Sequence, residues 1–324
     1  MVIHFFKLIR WSNLLIIAIL MLVIRIFVFQ KGLEHYYPIE NSFRLQLPDL
    51  AFYLLVISIM MIAAGGNIIN DIYDQETDEI NKPDQKIIGT HLSETIGWVL
   101  YMVLTLGGIA LGYYLSNLLN DNAFLIFHLL SPALLWIYAS SLKKTALLGN
   151  IIVALLAAFV PLILITFEYG ALLKVYDYEI RFNRLGHPFQ FMFDWSFYLA
   201  FFAFISTFLR EIIKDIEDIE GDEQTNARTL AVILGADKTK RLAQSVTLIF
   251  ISLVLFAAAK LMMFEDLRLI NAIFQIVCIA LPLCHLFYAL GKAKHKNDFH
   301  KLSSEIKLIM LAGFSTCIFY SFFL

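Results

Sequence analysis

Nine stretches of this chain are long and apolar enough to cross a membrane, and that limits its fold more than any other feature. A spanning helix needs about 20 predominantly apolar residues. Windows of that kind fall near 12–30, 48–69, 93–116, 122–141, 147–167, 195–213, 243–263, 269–290 and 306–324. Lipid offers no partner for backbone N–H and C=O groups, so only helices and closed barrels can span it. The windows exceed the roughly 9–11 residues of a barrel strand. The expectation is an all-α, polytopic bundle of about nine transmembrane helices. Composition agrees: 60% of the 324 residues are hydrophobic and 16% are charged, against about 45–50% apolar in soluble domains. Membrane lipids are the expected surroundings, and nucleic acid is not an expected partner.

The first window follows Lys7 and Arg10 but lacks a small-residue cleavage site before Gln30 and Lys31, so it reads as a retained helix rather than a secretory signal. Cys278, Cys284 and Cys317 lie inside apolar windows without a CxxC pair. They read as packing residues, not as disulfides or thiolate metal ligands. Of the 25 Lys and Arg, 17 fall on the side of the N-terminus and 7 on the other, with Arg25 inside the first window. The positive-inside rule then places the N-terminus in the cytoplasm and the C-terminus outside.

No linker or low-complexity tract divides the chain, so a single domain over 1–324 is expected. The connection over 168–195 is long and aromatic and reads as an interfacial amphipathic segment or loop, with His187 a surface residue. Two connections on the N-terminal side are acidic. "NDIYDQETD" (70–78) places Asp71, Asp74 and Asp78 in a D-x2-D-x3-D pattern, and "KDIEDIEGD" (214–222) repeats it with Asp215, Asp218 and Asp222. The first motif ends the second window and the second ends the sixth, a spacing that suits a duplicated half with pseudo-twofold character.

On a helix turning about 100° per residue, each aspartate triplet falls within an arc of about 60°. Asn70 shares the stripe of Asp74 and Asp78 at four-residue steps. Facing clusters of this kind repel strongly at low dielectric unless cations lie between them. Oxygen-only donors without Cys or His favour a hard ion, and Mg2+ is commonly held by one or two carboxylates plus substrate phosphate oxygens. The alternative is that each motif is a solvated helix end.

"WIYASSLKKTALLGN" (136–150) sets Lys143 and Lys144 on the same face, either as clamps on phosphate oxygens or as ordinary cytoplasmic lysines. Tyr138, one or two turns deeper, either turns its ring to a developing carbocation or is an interfacial tyrosine. Together these features suggest a reaction. Metal ions and lysines neutralise a diphosphate leaving group, the bundle encloses an apolar tail, and an allylic carbon ionises away from water. No Ser or Cys nucleophile with a partnered His is evident.

"NDIYDQETD" followed by "INKP", and "KDIEDIEGD" followed by "ARTLAVILG", resemble the two signature motifs of UbiA-type intramembrane prenyltransferases. "YASSLKKTALLGN" is similar to the lysine-rich segment between that family's fourth and fifth helices, and "LIRWSN" to the start of its first. The likeness runs over nearly the whole chain. It implies a nine-helix bundle around a central cavity open to lipid, Mg2+ as cofactor, a polyprenyl diphosphate donor and a hydrophobic or lipid acceptor. By position it implies that Asn70, Asp71, Asp74 and Asp78 hold one metal and diphosphate oxygens. Asp218 and Asp222 hold a second metal, supported by Asp215 and Lys214, and Lys143 and Lys144 contact the diphosphate.

One departure stands out. Where the family continues with an Arg-Pro pair, this chain has "NKPDQK", with Gln85 and Lys86. Lys86 is then the expected substitute, a point charge without the bidentate fork of arginine. The runs "REIIKDIEDIEGD" and "LKKTALLGN" are most similar to the branch that acts on geranylgeranylglyceryl phosphate. An aromatic quinone precursor of hydroxybenzoate or naphthoate type is the alternative acceptor. A carboxylate-based transporter is the alternative of another class, but transport sites usually sit near the bilayer midplane. The windows at 55–69 and 195–209 carry no charge.

Overall fold

The computed structural model describes residues 2–37, 43–81, 83–182, 189–262 and 267–322. Among them are nine helices long and apolar enough to cross a membrane: Trp11–Tyr36, Asp49–Tyr73, Glu94–Leu118, Asn122–Ser140, Leu148–Tyr178, Gln190–Glu217, Ala236–Lys260, Leu269–Lys292 and Lys296–Phe319. They are called here the first to the ninth membrane helix. β-Pairing among the described residues is limited to two isolated bridges, Ile88 with Leu92 and Thr145 with Arg228. The second and sixth helices, which end in the two acidic motifs, are the most enclosed, and the third and fourth are the most exposed. The motif-bearing helices therefore form the inside of the bundle.

Two stretches differ from the sequence expectation. The fifth helix does not stop near 167 but continues to Phe182, with non-helical backbone at Tyr176 (φ −115°, ψ 27°). The polar residues from Glu168 onward mimic a loop, yet the structure gives the first of them a partner. Glu168 is fully buried, with Oε1 2.8 Å from Arg25 Nε of the first helix. Arg25 lies in a π-helical stretch, Ile24–Gln30. It also donates to Asp49 Oδ1 (2.9 Å) and Leu47 O (2.6 Å) and stacks over Phe52. Residues 168–182 and 190–195 are thus helical, and His187 lies outside the described residues. The seventh and ninth helices begin at Ala236 and Lys296, earlier than the apolar windows, because their first turns are polar and extend the helix beyond the hydrophobic stretch.

Candidate active site

Each acidic motif straddles a break in its helix, at the same position. The second helix ends at Tyr73, Asp74 adopts φ −91°, ψ 2°, and a short helix Gln75–Asn81 follows. The sixth ends at Glu217, Asp218 adopts φ −99°, ψ 7°, and Ile219–Gln224 follows. A ψ near 0° departs from the helical value of about −42° and turns the chain, so the expected single continuous stripe is corrected to two short segments meeting at the middle aspartate. Four-residue hydrogen bonds persist on both sides. Asp74 N donates to Asn70 O and Asp78 N to Asp74 O (2.9 and 2.8 Å); Asp218 N donates to Lys214 O and Asp222 N to Asp218 O (2.9 and 3.1 Å).

The two short helices lie against each other. Asn81, the last residue of the first, donates through Nδ2 to Asp218 O (3.1 Å) and accepts from Gly221 N through Oδ1 (3.2 Å). Thr77 and Thr225 hydroxyls meet at 3.3 Å. The motifs, joined by Asn81 and Gly221 across 140 residues of sequence, share one end of the bundle.

Cationic and amide groups converge on the carboxylates. Lys143 Nζ forms an ion pair with Asp74 Oδ2, which also accepts from Asn70 Nδ2 (2.6 Å). Burial alone would lower the Lys143 pKa, but Asp74 beside it and Asp78 nearby raise it, so the ammonium stays charged. Arg10 Nη2 binds Asp71 Oδ1 at 2.8 Å. Arg10 has left-handed backbone (φ 53°, ψ 53°) at the corner between the short helix Val2–Leu8 and the first membrane helix. That conformation costs a non-glycine residue about 1–2 kcal/mol, and Asn67 Nδ2 fixes the corner by donating to Ile9 O (3.0 Å). Asn150 Nδ2 donates to Asp215 Oδ2 (3.0 Å). Burial pushes the Asp222 carboxyl up to about 6, with Asp218 and Asp74 adding repulsion and Lys143 opposing it. Asp74 and Asp222 therefore lie in one electrostatic field.

Tyr138 sits at the corner between the fourth and fifth helices. A Cβ on Gly149 would come within 3.3 Å of its ring, 3.2 Å of Lys143 Cα and 2.9 Å of Leu142 O. Glycine there lets the corner close tightly and holds Tyr138 near Lys143.

Three other expected residues have these contacts. Lys86 pairs with the exposed Glu79, Oε2 at 2.9 Å, one residue beyond Asp78. Lys144 is exposed and offers its carbonyl to Arg228 N (2.8 Å). Lys214 approaches Glu211 Oε2 at 3.5 Å, and Glu211 is also bound by Arg210 (2.9 Å). In turn, Arg10, Asn81, Asn150 and Glu211 were not singled out from sequence, although each lies inside a motif quoted above. A cleft of about 860 Å³ lies at the opposite end of the bundle, lined by Arg25, Glu34, Arg44, Asp49 and Phe52 among others. It is remote from the acidic segments and is not part of this site.

A family model for the UbiA prenyltransferase family matches residues 43–321. The chain belongs to the UbiA prenyltransferase family. It is accordingly an enzyme, a prenyltransferase, and the transporter reading is set aside. It is similar to the digeranylgeranylglyceryl phosphate synthase of Methanosphaera stadtmanae, 32% identical over 256 residues that cover 79% of this chain and 82% of that one. It also resembles the synthase of the same name from Saccharolobus solfataricus, 35% identical over 206 residues, or 64% of each chain. Among solved structures, a digeranylgeranylglyceryl phosphate synthase in membranes matches with a TM-score of 0.60 at 21% identity, over 98% of both chains. A UbiA homolog from Archaeoglobus fulgidus bound to GPP and Mg2+ matches with a TM-score of 0.54 at 13% identity, over 97% of this chain and 99% of that one. These structural likenesses establish the UbiA fold.

Proposed function

We propose that this UbiA prenyltransferase transfers a geranylgeranyl group from its diphosphate to the glycerol hydroxyl of geranylgeranylglyceryl phosphate, on the cytoplasmic side and with Mg2+. The observation that carries the reading is the meeting of two aspartate-rich breaks at one end of an apolar bundle, with Lys143 bound to Asp74 between them. The relatives named as digeranylgeranylglyceryl phosphate synthases support the choice of acceptor.

The residues fit Mg2+. Their donors are carboxylate oxygens alone, and among the described residues no three His, Cys, Asp or Glu side chains are grouped so as to hold a metal ion. Mg2+ held by few carboxylates and completed by substrate phosphate oxygens needs no such grouping. One or two of Asp71, Asp74 and Asp78 would hold one ion and Asp218 and Asp222 the other, with diphosphate oxygens completing each shell. When bound, the ions neutralise charge on the departing diphosphate.

The chain's own groups do the rest. Lys143, released from Asp74, binds a diphosphate oxygen, and Arg10 supplies a second cation beside Asp71. Asn70 orients Asp74, and Asn150 orients Asp215. The C–O bond breaks with its electron pair going to the diphosphate, while the Tyr138 ring faces the allylic cation. The acceptor oxygen attacks that carbon, and Asp71 and Asp215 are the candidates to take its proton.

The test uses detergent-purified protein with geranylgeranyl diphosphate, Mg2+ and either geranylgeranylglyceryl phosphate or 4-hydroxybenzoate, with products identified by mass spectrometry. A diether phosphate that disappears in Asp74→Ala and Asp218→Ala is expected. A prenylated aromatic product with no diether overturns the acceptor assignment, and full turnover in either variant overturns the site.

A further inference from the structure

The short helix Ile219–Gln224 begins at Asp218, and its first backbone N–H groups have no partner within the helix. An aspartate at that position ordinarily accepts from the third residue's N–H with its own side chain. Asp218 makes no such capping bond. The acceptor is Asn81, which reaches across from the other motif. Its Oδ1 accepts from Gly221 N at 3.2 Å while its Nδ2 donates to Asp218 O at 3.1 Å.

Two further observations show that this contact is built. A Cβ on Gly221 would lie 2.4 Å from Asn81 Nδ2 and 2.6 Å from its Cγ, so a larger residue would displace the amide from this position. Lys296, the first residue of the ninth helix, donates from Nζ to Asn81 O (3.0 Å) and Oδ1 (3.4 Å) and holds it from behind. Asn81 is buried.

We propose that Asn81, anchored by Lys296, is a positioning residue for the transfer reaction. It fixes the distance between the two acidic segments through Gly221 N and Asp218 O, and with it the placing of the Asp218 and Asp222 carboxylates about the diphosphate head. This rests on the reading that Asp218 and Asp222 bind that head with its metal.

The experiment compares full-length wild type with Asn81→Ala, Lys296→Met, Gly221→Ala, the Asn81→Ala/Gly221→Ala double variant and Asp218→Ala. It reads metal-free hydrogen exchange over 218–225, the Mg2+ concentration at half-maximal turnover, and thermal unfolding. Asn81→Ala should speed exchange over that segment by about ten-fold and raise the Mg2+ requirement by about ten-fold, the scale of losing a residue that orients a ligand. Lys296→Met should do both to a smaller degree. Gly221→Ala should be harmful in the wild-type background and less so with Asn81→Ala, because the added methyl then meets no amide.

A purely structural role would lower the unfolding temperature without moving the Mg2+ requirement. Unchanged exchange and a Mg2+ requirement within about two-fold of wild type in Asn81→Ala overturn the proposal. If that variant does not fold, the same result in Lys296→Met does so. Full turnover in Asp218→Ala overturns the functional reading beneath it, which Asn81 results alone cannot do.

Discussion

Replacing Lys143 with Met tests the electrostatic centre of the site, because stability and chemistry should then move separately. Lys143 is bound to Asp74, whose side chain is 7% exposed, while the lysine itself is 33% exposed. Two unit charges about 4 Å apart attract by about 4 kcal/mol at an effective dielectric of about 20. Breaking a buried pair by removing one partner costs about 3–5 kcal/mol. Here the lysine is partly solvated and Asn70 still donates to Asp74, so a loss of about 2 kcal/mol is expected without metal. Mg2+ would bind the more negative cluster and restore part of that stability. It would not replace the ammonium on the diphosphate, and removing one such stabilising group costs about 10²–10³ in kcat. Lys143→Met should therefore unfold at lower temperature in EDTA, recover with Mg2+, and still turn over about 100-fold more slowly at saturating Mg2+. The assay is diether formation by mass spectrometry beside thermal unfolding with and without Mg2+. A variant with kcat within about three-fold of wild type would refute the role assigned to this lysine.

Other outcomes follow from the same geometry. Arg10→Ala should weaken use of the diphosphate donor by about ten-fold or more in kcat/KM, since Asp71 loses its guanidinium partner; steady-state kinetics against donor concentration checks this. Lys86→Gln should leave kcat/KM within about two-fold, because the Lys86 ammonium is already bound to the exposed Glu79. Glu168→Leu should cost about 3 kcal/mol in stability by leaving Arg25 buried with one fewer acid, while Mg2+ dependence stays unchanged; unfolding and turnover measured together separate the two. In metal-free protein the Asp222 carboxyl, raised by burial to about 6, binds protons more readily folded than unfolded. Its contribution should be full below about pH 4 and lost as pH rises through about 6, which a pH series of unfolding in EDTA would show once the other carboxylates are matched by an Asp222→Asn control.

The bundle was legible because apolar length is a strong signal with few solutions in lipid. The shared end of the two motifs was legible from their place after the second and sixth windows, and Lys143 from its place between the fourth and fifth. Breaks at Asp74 and Asp218 were not, since periodicity assumes an unbroken helix and a change in ψ leaves no mark on spacing. The pairing of Lys86 with Glu79, seven residues earlier, was not legible either, because composition shows only two opposite charges. Arg10 contacts Asp71 across 61 residues, and Asn150 contacts Asp215 across 65. Such pairings depend on how helices are arranged around one another, which a single sequence does not encode locally. Glu168 illustrates the same limit from the other side: a charged residue reads as the end of a span until its partner Arg25 on another helix is seen.

The reach of Lys296 to Asn81, 215 positions earlier in the chain, bears on how the enzyme comes into being. During synthesis, both acidic segments emerge from the ribosome and enter the bilayer well before the ninth helix exists. A nascent chain at that stage has its carboxylates but not the residue that steadies their junction. The junction between the two acidic segments is thus completed only when the final helix has been inserted and Lys296 meets Asn81.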